Sequence, residues 1–342
     1  MELDAIFQRH DEGLVFCVYN YNNYCIKNME KMQNNSLKII LISPRGFCAG
    51  VHRAVSIVNR ALEIYGNPIY VRHEIVHNKT VVEEFKNKGI IFVKDVAEIP
   101  TASTAIFSAH GVSSFVENEA KEKNLNYIDA TCPLVKKVHQ IGLDYYKDGY
   151  QIILIGHKGH PEVEGTFGRI PSNIYLVSSI DDAKNIIINA DKPLAYITQT
   201  TLSLDDTKEI VDILQKRFPS IHGAGKNICY ATQNRQNAIK SIINDLDALI
   251  VIGSKNSSNS NRLKEIGDNH SKPSFLIDNK EEIPFDALAE IKTLGISAGA
   301  SAPDNAIEEI IAEIKNHRKV SVLEDYEYIK EDVAFHLPKN LR

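Results

Sequence analysis

The segment LKIILISPRGFCAGVHRAVSIVNRALEIYG, residues 37–66, decides the fold. It opens with an unbroken apolar run, Ile39-Ile-Leu-Ile42, the pattern of a strand buried on both faces. From Val51 the period changes. Val51, Ala54, Val55, Val58, Ala61, Leu62 and Tyr65 recur at helical spacing, and Gly66 closes the helix. Cys48 stands in the glycine-flanked turn between strand and helix.

The same plan recurs twice. Cys132, in DATCPLVKKVH, precedes a helix pattern carrying Leu134, Val138, Ile141 and Tyr145. Cys229, in NICYATQNRQNAI, precedes one carrying Ala238, Ile239, Ile242 and Leu246. After each helix comes a strand that ends in a polar loop. His77, His160 and Ser257 lie in these loops, 29, 28 and 28 residues after their cysteines. A later strand in each segment ends in a further loop, bearing His110, Thr200 and Ser301. Short apolar runs (PIYV, GIIFV, TAIFS, YQIILIG, IYLV, LAYIT, ALIVIG, SFLI, TLGIS) alternate with helical stretches throughout. The reading is α/β: three units of one plan, each about a hundred residues long, with small, mostly parallel sheets. Ligands bind beyond the carboxyl ends of parallel strands. If the units face one another, all these loops converge on one central cavity.

Bulk properties exclude several classes. At 342 residues the chain is long for a single core. A net charge of −5 argues against a general binder of nucleic acid or membrane surfaces. No apolar run is long enough to suggest a transmembrane helix. The acidic start, MELDAIFQRHDEG, lacks the pattern of a signal peptide. Five cysteines do not make a disulfide framework in a chain of this length, so a reducing cytoplasm is the expected location.

Three cysteines at equivalent points could hold zinc with an open fourth position, or an iron–sulfur cubane with one iron left without a protein thiolate. Buried structural thiols are the plainer reading for any one of them. The recurrence favours a cluster, and zinc cysteines usually come in close pairs, which are absent here. The loops supply mostly neutral donors: His77, His110, Ser257, Ser258, Asn259 and Ser301. Such donors near helix N-termini suit a phosphate or diphosphate. Solvated caps are the ordinary explanation for Ser-Asn runs. In GHPEVEGT, Glu162 two residues from His160 can form a proton-delivery pair, with Glu162 as acid and His160 as its hydrogen-bond partner. An acid in a helix's first turn explains Glu162 equally well. His157 and Glu164 compete for the role. Gln199, Thr200 and Thr201 add groups able to orient a substrate hydroxyl.

Taken in order, PRGFCAGV, EIVHN, SAHGV, DATCPLV, GHPEVEGT, TQTTLS, CYATQNRQ and SSNSNRL resemble the 4-hydroxy-3-methylbut-2-enyl diphosphate reductase (IspH/LytB) family of the non-mevalonate isoprenoid pathway. The resemblance runs from about Leu37 to the C-terminus. It implies a pseudo-threefold trefoil of α/β domains around one 4Fe-4S cluster with an open fourth iron, held by Cys48, Cys132 and Cys229. His77, His110, Ser257, Ser258, Asn259 and Ser301 would form the diphosphate pocket. His160, Thr200 and Glu162 would surround the substrate hydroxyl, with Glu162 as proton donor. The implied reaction is reductive dehydroxylation to isopentenyl or dimethylallyl diphosphate, with electrons from a ferredoxin or flavodoxin-type donor.

The expected partition is an extension over 1–36, α/β domains over 37–131, 132–228 and 229–316, and a tail over 317–342 that packs on the core. The extension, with Cys17 and Cys25, reads as disordered or as a start assigned upstream of Met29 or Met32. Ser43 stands where family members often carry Asn; it is not an expected ligand. A three-cysteine cluster dehydratase of the quinolinate-synthase type is the rival enzyme, although its dicarboxylate substrates usually call for arginine. An iron–sulfur sensor would use the cysteines without needing Glu162, and a zinc hydrolase would use them without iron.

Overall fold

The computed structural model describes residues 36–189, 191–223 and 228–342. The reading of residues 1–36 as an extension, with Cys17 and Cys25, falls on a segment that lies, Ser36 apart, outside the described residues. The chain opens with β1 (Leu37–Ser43) and α1 (Ala49–Tyr65). Then follow β2 (Ile69–Arg72), α2 (Lys79–Asn87), β3 (Ile90–Val93), β4 (Thr104–Phe107), α3 (Ser114–Glu122) and β5 (Asn126–Asp129). The next stretch is α4 (Pro133–Lys147), β6 (Gln151–Ile155), α5 (Pro161–Phe167), β7 (Ile174–Val177), α6 (Ile180–Asn185), β8 (Leu194–Thr198), α7 (Leu204–Arg217) and β9 (His222–Gly223). The last is α8 (Tyr230–Ile242), β10 (Ala248–Ile252), α9 (Ser258–Asn269), β11 (Ser274–Ile277), α10 (Phe285–Leu288), β12 (Thr293–Ala298), α11 (Asp304–His317) and β13 (Val320–Glu327).

Three sheets result, each parallel throughout. Their strand orders are β3-β2-β4-β5, β7-β6-β8-β9 and β11-β10-β12-β1-β13. The first four positions correspond from sheet to sheet. The strand that leads into a cysteine always fills the fourth: β5 before Cys132, β9 before Cys229 and β1 before Cys48.

Each such strand belongs to one lobe, and the helix after its cysteine packs in the next. Val138 of α4 joins Ile152, Leu154 and Ile197 of the second sheet. Ala238, Ile239 and Ile242 of α8 join Leu249 and Val251 of the third. On α1, Ala54, Ile57, Val58 and Ala61 join Ile69, Val71 and Ile106 of the first. The three cysteines therefore mark the three crossings between lobes.

This topology moves β1. Sequence order groups it with residues 37–131, but it pairs with β12 and β13, in the sheet of the last lobe. β13, which falls within the 317–342 tail, is the outer strand of the same sheet. The repeating unit starts with a helix and ends with a strand, so the first strand of the chain closes the lobe made last.

The apolar run of β1 serves both faces of that sheet. Leu37, Ile39 and Leu41 enter one core cluster, and Ile40 and Ile42 enter the other. Alternate residues of a strand point to opposite faces, so a doubly covered strand must be apolar at every position. Burying each such side chain contributes about 1.5–3 kcal/mol. α1 ends at Gly66, whose φ of 66° is open to glycine at little cost.

The tail returns across α1. Leu341 is buried in the first lobe's core. The Arg53 guanidinium donates to the carbonyls of His336, Ala130 and Thr131. Arg235, 1% exposed, donates to Glu331 and to the Gly46 carbonyl. Among the described residues, no helix is long and apolar enough to cross a membrane.

Candidate active site

One cavity opens where the lobes meet. The twelve residues that the family resemblance assigns to the site all line it: Cys48, Cys132, Cys229, His77, His110, His160, Glu162, Thr200, Ser257, Ser258, Asn259 and Ser301. Val51, Val76, Leu134, Val135, Tyr230 and Phe335 supply much of its apolar wall.

Each cysteine is the N-cap of its helix: Cys48 of α1, Cys132 of α4 and Cys229 of α8. The helix dipole at that position favours a thiolate. Cys229 Sγ accepts the Thr232 N–H at 3.4 Å. Burial acts the other way. It pushes Cys132 up to about 12 and Cys229 up to about 11, and the neighbouring thiols add to the rise. Left to themselves Cys132 and Cys229 stay protonated at neutral pH, so a cationic centre beside them is what would make them thiolates.

Gly50 lets two of the sulfurs approach. A Cβ there would stand 2.7 Å from Cys132 Sγ and 3.8 Å from Cys48 Sγ. Among the described residues, no group of three His, Cys, Asp or Glu side chains is drawn together tightly enough to hold a single metal ion. The thiols share the cavity wall without meeting at one ion-sized point. Three half-buried soft donors from three lobes, spread around a cavity, fit a polynuclear cluster better than a lone zinc.

The rest of the lining is largely hydrogen-bonding. Ser257 caps α9, receiving the Ser260 N–H at 3.4 Å. The Ser258 hydroxyl donates to the Thr201 carbonyl at 3.0 Å, tying the third lobe to the second. The Ser301 hydroxyl donates to the His77 carbonyl at 2.8 Å, tying the third lobe to the first. Asn259 is buried, and neither its amide nitrogen nor its amide oxygen has a partner. An orphaned buried amide is costly, which points to a ligand as the missing partner. Among the described residues, no lysine or arginine lines the cavity. An anion here would meet histidines, hydroxyls, the Asn259 amide and the N-terminus of α9.

Glu162 lies in the first turn of α5 and is 3% exposed. Its Oε1 accepts the Thr200 N–H at 2.6 Å and its Oε2 accepts the Thr200 hydroxyl at 2.8 Å. Burial raises its carboxyl to about 7, with the Thr200 bonds opposing. The expected partner was His160, and here the structure corrects the sequence reading. His160 is the N-cap of α5, and its Nδ1 accepts the backbone N–H of Glu162 at 3.1 Å, not the carboxyl. Burial pushes His160 down to about 3, so it is a neutral ring with its proton on Nε2. Gly165 of α5 packs against Gly111, which brings this pair beside His110.

His157 and Glu164 do not line the cavity. Gln199 sits one layer back, accepting from the His157 N–H and donating to the Thr201 hydroxyl. Phe335 and Tyr230 are wall residues the sequence reading missed. A phenylalanine isolated in the polar tail was the only signal for the first.

Fold and site together define a class: a three-lobed α/β protein whose lobes each present one thiol to a shared, anion-compatible cavity. Comparison with known proteins agrees. The LytB protein family matches residues 39–315, and the chain belongs to that family. A 4-hydroxy-3-methylbut-2-enyl diphosphate reductase of Methylococcus capsulatus is 49% identical over 310 residues, covering 90% of this chain and 99% of the relative. One of Ruthia magnifica is 49% identical over 307 residues, covering 90% and 100%. The solved E-1-hydroxy-2-methyl-but-2-enyl-4-diphosphate reductase of Plasmodium falciparum superposes with a TM-score of 0.87 at 37% identity, covering 90% of this chain and 97% of that one.

Proposed function

We propose that this protein reduces 4-hydroxy-3-methylbut-2-enyl diphosphate to isopentenyl and dimethylallyl diphosphate, the last step of the non-mevalonate route to isoprenoid precursors. The observation that carries it is the Glu162–Thr200 pair, a buried acid raised by burial to about 7, in the same cavity as three thiols and an unpartnered asparagine amide. The family and the names of the relatives support the same reading.

The reaction breaks an allylic C–O bond. Two electrons and two protons enter, and water and a C–H bond result. Hydroxide is a poor leaving group, so a proton must reach the oxygen as the bond breaks. Glu162 holds that proton on Oε2, because Oε1 is occupied by the Thr200 N–H. In the structure the Thr200 hydroxyl donates to Oε2; when Oε2 carries the proton that hydroxyl turns, accepting from Oε2 and presenting its own O–H to the substrate oxygen. His160 contributes a neutral Nε2–H donor beside them. The diphosphate fits the far wall, against His77, His110, Ser257, Ser258, Asn259 and Ser301. Apolar Val51, Val76, Leu134 and Val135 exclude water from the hydrocarbon part.

Cys48, Cys132 and Cys229 would hold a 4Fe-4S cluster, which when bound supplies single electrons and, at an iron without a protein thiolate, Lewis acidity. A ferredoxin or flavodoxin-type protein is the proposed electron donor. A reducing cytoplasm is the proposed location, in keeping with three free thiols.

The test is an anaerobic assay with iron and sulfide reconstituted. An artificial one-electron donor is oxidised when the hydroxylated butenyl diphosphate is added, and Glu162→Gln and Cys132→Ser abolish this. Substrate loss without donor oxidation would favour a dehydratase. One zinc per chain in a colourless protein would overturn the reading.

A further inference from the structure

At the diphosphate end, three histidines crowd together. His77 lies 4.1 Å from His110 and 5.2 Å from His160, and His110 lies 5.8 Å from His160, centroid to centroid. Rings this close resist carrying several charges at once. Their Nδ1 partners separate them. His160 accepts a backbone N–H and is neutral. His110 meets the Ser108 hydroxyl at 3.1 Å, and burial first, then its histidine neighbours, holds it well below the ordinary range.

His77 alone faces a carboxylate. Its Nδ1 lies 3.1 Å from Glu74 Oε2. An ionised carboxylate only accepts, so this nitrogen carries the proton. On the other side of the ring, Nε2 is buried without a partner in a residue that lines the cavity. The Glu74 carboxyl also receives the Asn256 side-chain N–H at 2.8 Å, and Asn256 adjoins Ser257. Other charged or titratable groups near His77 are His73, His110 and His160.

A neutral His77 protonated on Nδ1 would aim a lone pair at an arriving anion. Protonation of Nε2 turns that contact into a charge-assisted hydrogen bond, with a carboxylate on one edge of the ring and the anion on the other. We propose that Glu74 is a positioning residue that fixes the Nδ1 proton of His77, makes His77 the single imidazolium of the three when a diphosphate binds, and through Asn256 couples it to the loop of Ser257 and Asn259. The inference rests on the diphosphate reading above. It gives the cavity a positive side chain where, among the described residues, no lysine or arginine lines it.

The experiment measures binding of inorganic diphosphate to the reconstituted protein between pH 5.5 and 8.5. A Glu162→Gln background removes the titration of that acid, and the ligand's own titration is common to all variants. Glu74→Gln is expected to weaken binding about tenfold at pH 7.5 and to converge on the parent towards pH 5.5, where the supply of protons depends less on the carboxylate. A tenfold change corresponds to about 1.4 kcal/mol. Added to His77→Asn, Glu74→Gln should change affinity less than twofold. Glu74→Asp, carried alongside in case the glutamine variant misfolds, should lie between, with the same convergence at low pH. In turnover with Glu162 intact, the effect of Glu74→Gln should fall on KM and not on kcat. An unchanged affinity, a loss of equal size at every pH, or a full further loss on top of His77→Asn would each overturn the inference. Wild-type protein that binds diphosphate but does not reduce the hydroxylated substrate would overturn the functional reading and this inference with it. Wild-type turnover with an unaltered Glu74→Gln profile would overturn this inference alone.

Discussion

Glu162 in the first turn of α5 and Thr200 in the loop after β8, 38 residues apart, bond to each other twice: main-chain N–H to Oε1 and hydroxyl to Oε2. The first bond fixes the carboxyl's orientation. The second gives its proton a way out. Glu162→Gln keeps the shape and removes the acid, so kcat should fall 10²–10⁴-fold, the usual contribution of a positioned general acid. In the wild type, burial raises this acid to about 7, so kcat should decline as pH rises through that value. A pH–rate profile flat from 6 to 8.5 would rule Glu162 out as the donor.

The same raised carboxyl makes a stability prediction. Unfolded, Glu162 titrates near the ordinary value of about 4.3; folded, it titrates at about 7. The folded chain therefore binds the extra proton between these values. Its contribution is fully present below the unfolded pKa and lost as pH rises through the folded one. Urea unfolding should find Glu162→Gln stabilised against wild type by about 3 kcal/mol at pH 8 and by almost nothing near pH 4. Equal midpoints at pH 8 would mean that the carboxyl is not buried as a neutral acid.

Thr200→Val tests the relay apart from the acid. It leaves the N–H on Oε1 but removes the hydroxyl. Turnover should drop at least tenfold, with Thr200→Ser restoring most of it. Recovery in Val and loss in Ser would reverse the assignment.

Much of this was legible in the sequence because the chemistry is local. Cys48, Cys132 and Cys229 each follow a strand and open a helix, and an apolar run followed by helical spacing is visible in a single chain. What was not legible depends on pairing across the chain. β1 meets β12, more than 250 residues away, and nothing in LKIILIS says which sheet it completes. β13 escaped because its residues are mostly exposed and include three acids, Glu324, Asp325 and Glu327, as suits an outer strand with one unpaired edge. The partner of Glu162 was misread for a related reason. His160 is close in sequence, but the helix it caps turns the carboxyl away toward Thr200. Phe335 reaches the site because the tail folds back across α1.

Gly50→Ala probes the thiol arrangement. The added methyl would stand 2.7 Å from Cys132 Sγ, closer than a Cβ and a sulfur can approach. The position lies in the first turn of α1, where alanine is an acceptable helix former, so the fold should persist. Circular dichroism should match wild type while iron retained after reconstitution falls by more than half. Full iron content would show that the sulfurs have room to give.

Asn259 offers the cleanest separation of binding from stability. Both its amide atoms are buried and unpartnered, and the residue is 4% exposed. A group in that state costs about 1–3 kcal/mol that a substrate hydrogen bond would recover. Asn259→Leu, close in shape and apolar, should therefore leave the ligand-free protein as stable as wild type or about 1 kcal/mol more so. It should also weaken diphosphate substrate binding roughly 10–100-fold, as expected when a hydrogen bond to a charged partner worth about 1.5–3 kcal/mol is lost. A structural asparagine would behave oppositely, with lowered stability and unchanged affinity. Paired urea titrations and KM measurements on one preparation would distinguish the two roles.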